Sequence, residues 1–279
     1  MEKLVLSSEF FNVKDTLECG QVFRFFPYEK GFLVVSINKC AYVYQEDNFT
    51  VIECEKEDKD YFYNYFDLDR DYGKIYSDCL SENVPILTTS ANAGKGIRLL
   101  NQDKKEVAFS FIVSQNNNIP RIKSIIEKLS ILLGEKREFM GKTYYSFPTA
   151  KAIMNATNLE LKETGLGYRV DYVKSLAKSI EDGLNLEELS KLDTKALKKR
   201  LLSIHGIGPK VADCITLFGY KKSDSFPVDT WIEKVYREDL GGTTKDRVKI
   251  ADELTFRFGS NSGYYQQYLF YYKRSIENK

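Results

Sequence analysis

The chain is poor in the residues that most often bind metals or shuttle protons: among 279 residues there is one histidine, His205, and five cysteines. Cys19, Cys40, Cys54, Cys79 and Cys214 are odd in number, scattered, and never spaced as C-x-x-C. That argues against a disulfide framework or a zinc site and for a reduced, cytosolic protein. No apolar run approaches the roughly 18 to 20 residues that span a bilayer. The start, MEKLVLSSEF, lacks the basic stretch and long apolar segment of a secretion signal. Neither sign of charge is in excess, since 41 Lys and Arg stand against 40 Asp and Glu. A polyanion-binding site must therefore be local. What the chain does have is apolar and aromatic residues, 43% and 14% of the total, too many for a disordered chain. It should bury a sizeable core in one large or two to three small domains.

Two kinds of periodicity divide the chain. FLVVS (32–36), AYVYQ (41–45) and FTVIE (49–53) are short β-rich stretches separated by turn-like pairs, which predicts an antiparallel sheet. The acidic and aromatic segment 55–70 follows, then a mostly polar stretch to Gly94 and Gly96 that suggests a boundary. Beyond it, Ile122, Ile125, Ile126, Leu129, Leu132 and Leu133 recur at helical spacing ahead of a stop at Gly134, and Tyr172, Val173, Leu176, Ala177 and Ile180 do the same. The expected class is α+β: an N-terminal α+β domain with an antiparallel sheet (1–98), then a mostly α-helical region (99–279). No internal repeat or low-complexity tract is visible.

The segment LLSIHGIGPKVADCITLFGY (201–220) ends one helix near Leu202, turns through G-x-G, and opens a second helix at Pro209. This is a helix-hairpin-helix pattern. Gly206 and Gly208 let the backbone approach a phosphate, and the N–H groups that begin the next helix point at an anion. Two glycines and a proline also make an ordinary turn between helices. Charge favours the nucleic-acid reading, because Lys195, Lys198, Lys199, Arg200, Lys210, Lys221 and Lys222 lie between 195 and 222 against the single acid Asp213.

Lys210 falls in the first turn of the second helix, with Cys214 one turn on and Leu217 and Phe218 a turn further, so these can line one pocket. The positive end of the helix dipole disfavours an ammonium there, and a neutral amine is a nucleophile. A helix terminus typically supplies about 0.3 to 1 kcal/mol, so desolvation in a closed pocket must do most of the work. A phosphate-binding or solvent-facing lysine is the plainer alternative. Downstream, Pro227 stiffens the approach to Asp229, which chain reversal can bring to Lys210; by position alone Asp229 is a helix N-cap, and one carboxylate can cap and catalyse together.

GIGPKVADC followed by PVD resembles the helix-hairpin-helix DNA glycosylase superfamily with its lysine and aspartate. CGQVFRF (19–25), YFDLDRD (65–71), GIRLLNQD (96–103), FSFIVSQNNNIPRI (109–122), GLGYR (165–169) and GYYQQYLF (263–270) extend the match, in order and over nearly the whole chain, to the 8-oxoguanine DNA glycosylase/AP lyase family. The resemblance implies an enzyme of base-excision repair that flips 8-oxoguanine out of duplex DNA, cuts its N-glycosidic bond and nicks the strand by β-elimination. It also implies two helical subdomains with the active site in the cleft between them. Lys210 would be the nucleophile and Asp229 its partner. Gly20 would offer a carbonyl to the N7 hydrogen of the lesion. Gln266 and Phe270, four apart on one helix face, would read and stack on the base, with Cys214 opposite and Phe218 in the pocket wall. Asn116, Arg121, Tyr168 and Arg169 stand where the family fills the vacated stack and holds the widowed cytosine. His205, Gly206, Gly208 and Trp231 would meet phosphates.

Two positions depart from the family: Trp231 replaces a histidine of vertebrate members and Phe218 a methionine-like residue. No cysteine follows Cys214, so the four-cysteine cluster of the iron-sulfur branch cannot be built. No cofactor is expected, and no side-chain metal site. A cation held by the carbonyls of Leu202, Ile204 and Ile207 is what the family's hairpin implies. The expected partner is double-stranded DNA carrying 8-oxoguanine, bound by a monomer in the cytosol, over the nucleoid in a prokaryote. Two alternatives stay open: a sister glycosylase for another oxidised or alkylated base, and a non-catalytic module that uses the hairpin as a phosphate clamp.

Overall fold

The computed structural model describes residues 1–277. Five antiparallel strands, β1 (Glu2–Ser7), β2 (Phe25–Tyr28), β3 (Gly31–Ser36), β4 (Lys39–Glu46) and β5 (Phe49–Cys54), form a sheet of order β1-β5-β4-β3-β2. The three β-rich stretches of the sequence are β3, β4 and β5. Strand β4 is buried on both faces. On one side Ala41 and Val43, with Val34 and Ile52, pack against Leu17 of helix α1 (Val13–Glu18) and Phe62 and Tyr65 of α2 (Lys59–Tyr65). On the other, Leu33, Tyr42 and Tyr44 meet Phe139 of a second hairpin, β6 (Lys136–Phe139) and β7 (Lys142–Tyr145). That hairpin interrupts the region expected to be mostly helical. Met140 (φ 49) and Gly141 (φ 71) give it a two-residue turn with both centres left-handed, which matches the twist of the strands it joins.

The polar-looking stretch before residue 98 is also helical: α3 (Tyr72–Ser81) and α4 (Pro85–Ala93). Tyr72, Ile75, Cys79, Leu87 and Ala91 are buried in the same core as the C-terminal helices. Residues 72, 75 and 79 share one face among polar neighbours, so a narrow apolar stripe suffices to seat the helix. Packing does not break at the expected boundary.

The remaining helices are α5 (Lys104–Val113), α6 (Ile119–Leu133), α7 (Ala150–Asn155), α8 (Asn158–Glu163), α9 (Val170–Glu181), α10 (Thr194–Leu202), α11 (Pro209–Tyr220), α12 (Thr230–Lys234), α13 (Arg247–Phe258) and α14 (Ser262–Glu277). Helix α6 buries Ile122, Ile125, Ile126 and Leu129 and ends at Gly134, as the spacing predicts, while Leu132 in its last turn is exposed. Helices α5 and α11 differ: every residue from Glu106 to Val113 and from Val211 to Gly219 is buried. A helix apolar all round belongs in a core. The two pack together at the centre of the helical body, so the first turn of α11 projects from a rigid post.

Candidate active site

The hairpin joins α10 to α11 through two glycines with different duties. Gly206 has φ +92, and a Cβ there would lie 2.4 Å from Cβ and Cγ of Tyr172, so both conformation and space demand glycine. Gly208 is the N-cap of α11 with Pro209 next, and nothing lies within 4 Å of where its Cβ would stand, which leaves the N–H groups of the first turn open to approach. His205 is exposed at the tip, its ring edge-on to Tyr172 at 5.2 Å. The surplus of lysines around the hairpin is smaller in space than in sequence. Lys198 pairs with Asp213 at 2.5 Å, and Lys221 pairs with buried Asp67. Lys195, Lys199 and Arg200 remain exposed on α10.

Lys210, half-buried in the first turn of α11, places Nζ 5.5 Å from the centre of the Phe111 ring. One turn on, the thiol of Cys214 is buried, which pushes it up to about 11 while the charge of Lys210 pulls the other way. Cys214 is therefore a neutral wall at pH 7. Asp229 caps α12: its Oδ1 accepts from the N–H of Trp231 at 3.0 Å and of Ile232 at 2.9 Å. Burial lifts its carboxyl above the ordinary carboxylate range, against the pull of those N–H groups, Lys210 and Arg247. Capping occupies one oxygen, and among the described residues no donor reaches the other. Lys210 and Asp229 share the lining of one cavity, although among the described residues they form no direct ion pair.

That cavity, of about 50 Å³, is lined by Gly20, Phe111, Lys210, Cys214, Phe218, Pro227, Asp229, Gln266, Gln267 and Phe270. Leu217, expected from its spacing to share this pocket, is not among them: it is buried in the core, against Gly263. Such a volume holds a few water molecules, so a bicyclic base enters only if side chains in the wall move. Phe218 stacks on Phe111 with centroids 5.3 Å apart and planes 11° from parallel, which makes a flat apolar floor. Gln266 is 4% exposed; its Nε2 donates to the Pro227 carbonyl at 3.2 Å, and its Oε1, also buried, has no partner among the described residues. Gly20 sits at φ +90.

Outside the cavity runs an open trough lined by Gln115, Asn116, Tyr168, Gly208, Lys210, Asp229, Trp231 and Arg247, among others. Its walls carry amides, an exposed tyrosine and an arginine.

Two family models divide the chain: that described as "8-oxoguanine DNA glycosylase, N-terminal domain" matches residues 3–107, and that of the HhH-GPD superfamily of base excision DNA repair proteins matches 109–257. Among solved structures, the 8-oxoguanine glycosylase/lyase of Clostridium acetobutylicum, in complex with DNA containing cytosine opposite 8-oxoguanine, is 40% identical with a TM-score of 0.90, covering 96% of this chain and 93% of that one. The chain belongs to the 8-oxoguanine DNA glycosylase family. A probable N-glycosylase/DNA lyase of Methanothermobacter thermautotrophicus is 28% identical over 75% of this chain and 72% of its own length, and the N-glycosylase/DNA lyase of Saccharomyces cerevisiae 28% over 85% and 70%.

In this chain the segments that meet the trough are arranged unequally. Asn116, with φ 46, is exposed, Tyr168 is 54% exposed, and both line the trough. Arg121 is exposed on the first turn of α6, outside the lining. Arg169 departs from expectation. It is 3% exposed and its guanidinium is spent inward, on the carbonyls of Gln115 (2.9 Å from Nε), Asn116 (2.9 Å) and Leu166 (3.3 Å). A buried guanidinium must satisfy its donors, and the strained loop at Asn116 supplies carbonyls within reach. Arg169 thus braces the loop from within. Asn118 caps α6, its Oδ1 accepting from the N–H of Arg121 at 3.0 Å. Phe111, Pro227 and Gln267 escaped the sequence reading. In the sequence Pro227 marks only a stiff approach to Asp229, and neighbours on a helix point about 100° apart, so nothing in the spacing of Gln266 and Phe270 implicates Gln267. Among the described residues no group of His, Cys, Asp and Glu could hold a metal, and no helix is long and apolar enough to cross a membrane.

Proposed function

We propose that this chain is a base-excision DNA repair enzyme, an N-glycosylase with AP lyase activity, which removes 8-oxoguanine from double-stranded DNA. The observation that carries the reading is the convergence of Lys210, Asp229, Gly20, Gln266 and Phe270 on one cavity that opens to a trough. The Lys210 amine attacks C1′ of the deoxyribose as the bond from C1′ to the base nitrogen breaks and the base departs. Asp229, through the oxygen left over from capping, opposes the positive charge that develops on the sugar. The amine adduct opens to a Schiff base, and loss of a C2′ proton then expels the 3′ phosphate.

Base choice follows from hydrogen-bond polarity. With Nε2 tied to Pro227, Gln266 offers an acceptor that suits the N1 hydrogen and 2-amino group of a guanine edge. The Gly20 carbonyl accepts from N7–H of 8-oxoguanine, whereas guanine brings a lone pair against the same oxygen. One such contact is worth on the order of 1 to 3 kcal/mol, roughly ten- to a hundredfold, so extrusion must supply earlier sieves. Phe270 stacks on the base with Cys214 opposite, for about 1 to 3 kcal/mol. Asn116 and Tyr168 fill the vacated stack, Arg121 meets the widowed cytosine, and Arg169 holds their loop. Extrusion costs a few kcal/mol, part of which these contacts offset. Main-chain N–H groups at Gly206 and Gly208, with His205 and Trp231, bind phosphates. A hairpin cation would rest on the carbonyls of Leu202, Ile204 and Ile207, and none of the chemistry uses it. The enzyme acts as a monomer in the cytosol.

Borohydride reduction in the presence of lesion DNA tests the reading. The intact chain should be trapped on an 8-oxoguanine duplex, and Lys210→Gln should bind that duplex without being trapped. In a panel of single-lesion duplexes, indifference to 8-oxoguanine would favour a sister specificity; no adduct with any lesion would favour a phosphate clamp.

A further inference from the structure

The loop that carries Gly20 has a regular pattern of held and unheld carbonyls. The Glu18 carbonyl accepts from Nη2 of Arg274. The Cys19 carbonyl accepts from Nε2 of Gln267 at 2.7 Å, and the Gln21 carbonyl from Nε2 of Gln102 at 2.8 Å. Among the described residues no donor reaches the carbonyl of Gly20, the residue between them in sequence, and Gly20 lines the base cavity. We infer that Gln267 and Arg274, two side chains of α14, are positioning residues for lesion discrimination: by occupying the carbonyls of 19 and 18 they fix the two peptides that lead into Gly20, and so the Cα from which the one free carbonyl of the four projects.

The physical case rests on burial and rigidity. Gln267 is 2% exposed, so its amide has no water to exchange with and its bond to Cys19 is obligatory. Arg274 lies over the Phe270 ring, 5.1 Å from its centre, so the helix that carries the stacking ring also carries both clamps. At φ +90 Gly20 has no steric preference of its own, and its direction is set by its neighbours. Phe270 Cε1 and Arg274 Nη1 both lie 3.1 Å from where a Cβ would stand, so the peptide has little room to tilt unless the clamps are released. A misplacement on the order of 1 Å costs a hydrogen bond most of its worth, because the donor is then neither paired nor solvated.

This rests on the Gly20 reading given above, and one substrate pair separates the two. Duplexes carry either 8-oxoguanine or its 7-deaza analogue, which keeps the C8 oxygen and replaces N7–H by C–H. Affinities are measured in the Lys210→Gln background, and strand cleavage at a preformed abasic site in the Lys210 form, where no base is read. Gln267→Met has nearly the same length and cannot donate. It should weaken binding of the 8-oxoguanine duplex by roughly ten- to a hundredfold, leave the analogue unchanged, and leave abasic cleavage within about twofold. Arg274→Met should act in the same direction, and Arg274→Lys, which keeps a donor, should restore most of the difference. If Gln267→Met weakens both duplexes and abasic cleavage alike, the residue is only structural and the inference is overturned. If the unsubstituted loop itself cannot tell the lesion from its analogue, the Gly20 reading fails and takes this one with it. Discrimination that persists unchanged in Gln267→Met and Arg274→Met overturns the positioning role alone.

Discussion

Replacing Asp229 by asparagine alters one atom and one charge, and the two duties of this residue respond differently. The cap uses Oδ1, which asparagine also provides to the N–H groups of Trp231 and Ile232, so α12 should survive. The charge is lost. A carboxylate about 4 Å from a full positive charge contributes about 4 kcal/mol at an effective dielectric constant near 20. The sugar carries only part of a charge in the transition state, so about 2 kcal/mol, roughly thirtyfold, is the expected loss. Single-turnover excision of 8-oxoguanine should fall by that factor, with affinity for the lesion duplex within about twofold. pH sharpens the test. Because burial raises the carboxyl of Asp229, the folded state holds its proton more tightly than the unfolded chain does. Protonated Asp229 therefore favours folding in acid, and that contribution is lost as pH rises through the raised value. Asparagine should be no less stable than aspartate at pH 7 and should lose that parity in acid. Wild-type excision should decline as pH falls through a value above the usual carboxylate range, and the variant should lack that limb. An asparagine variant that excises at the wild-type rate would reduce Asp229 to a cap and refute the electrostatic role.

Gly206→Ala forces a left-handed alanine, about 1 to 2 kcal/mol, against Tyr172 at 2.4 Å. Urea denaturation should show a loss of about 2 to 4 kcal/mol, accompanied by weaker binding of undamaged duplex. Tyr168→Ala removes a side chain that is 54% exposed, so stability should hold while affinity for lesion duplex falls about five- to a hundredfold; equal effects on both would place the ring in the core. Asp67→Asn leaves Lys221 in a site where its side chain is only 14% exposed and should cost about 3 to 5 kcal/mol, read as a lower denaturation midpoint.

The strands at 31–54, the helices at 119–133 and 170–181 and the hairpin at 201–220 were all legible along the chain, because side-chain periodicity and turn chemistry are local. So was the short inventory of chemistry: few groups other than Lys210 and Asp229 combine the right reactivity with the right neighbours. The roles of Gly20, Gln266 and Phe270 were legible only through the family resemblance, and the fold brings the three to one cavity. Folding decided what each group had left to offer. Arg169 is an exposed-type residue by composition, yet packing turned it inward to a strained loop. Lys198 and Lys221 looked like part of a basic face until Asp213 and Asp67 reached them. Gln267 finds Cys19 across 248 residues, a partnership with no trace in spacing. Hydrogen bonding and desolvation depend on which atoms meet in space, and a sequence specifies those meetings only through the whole fold.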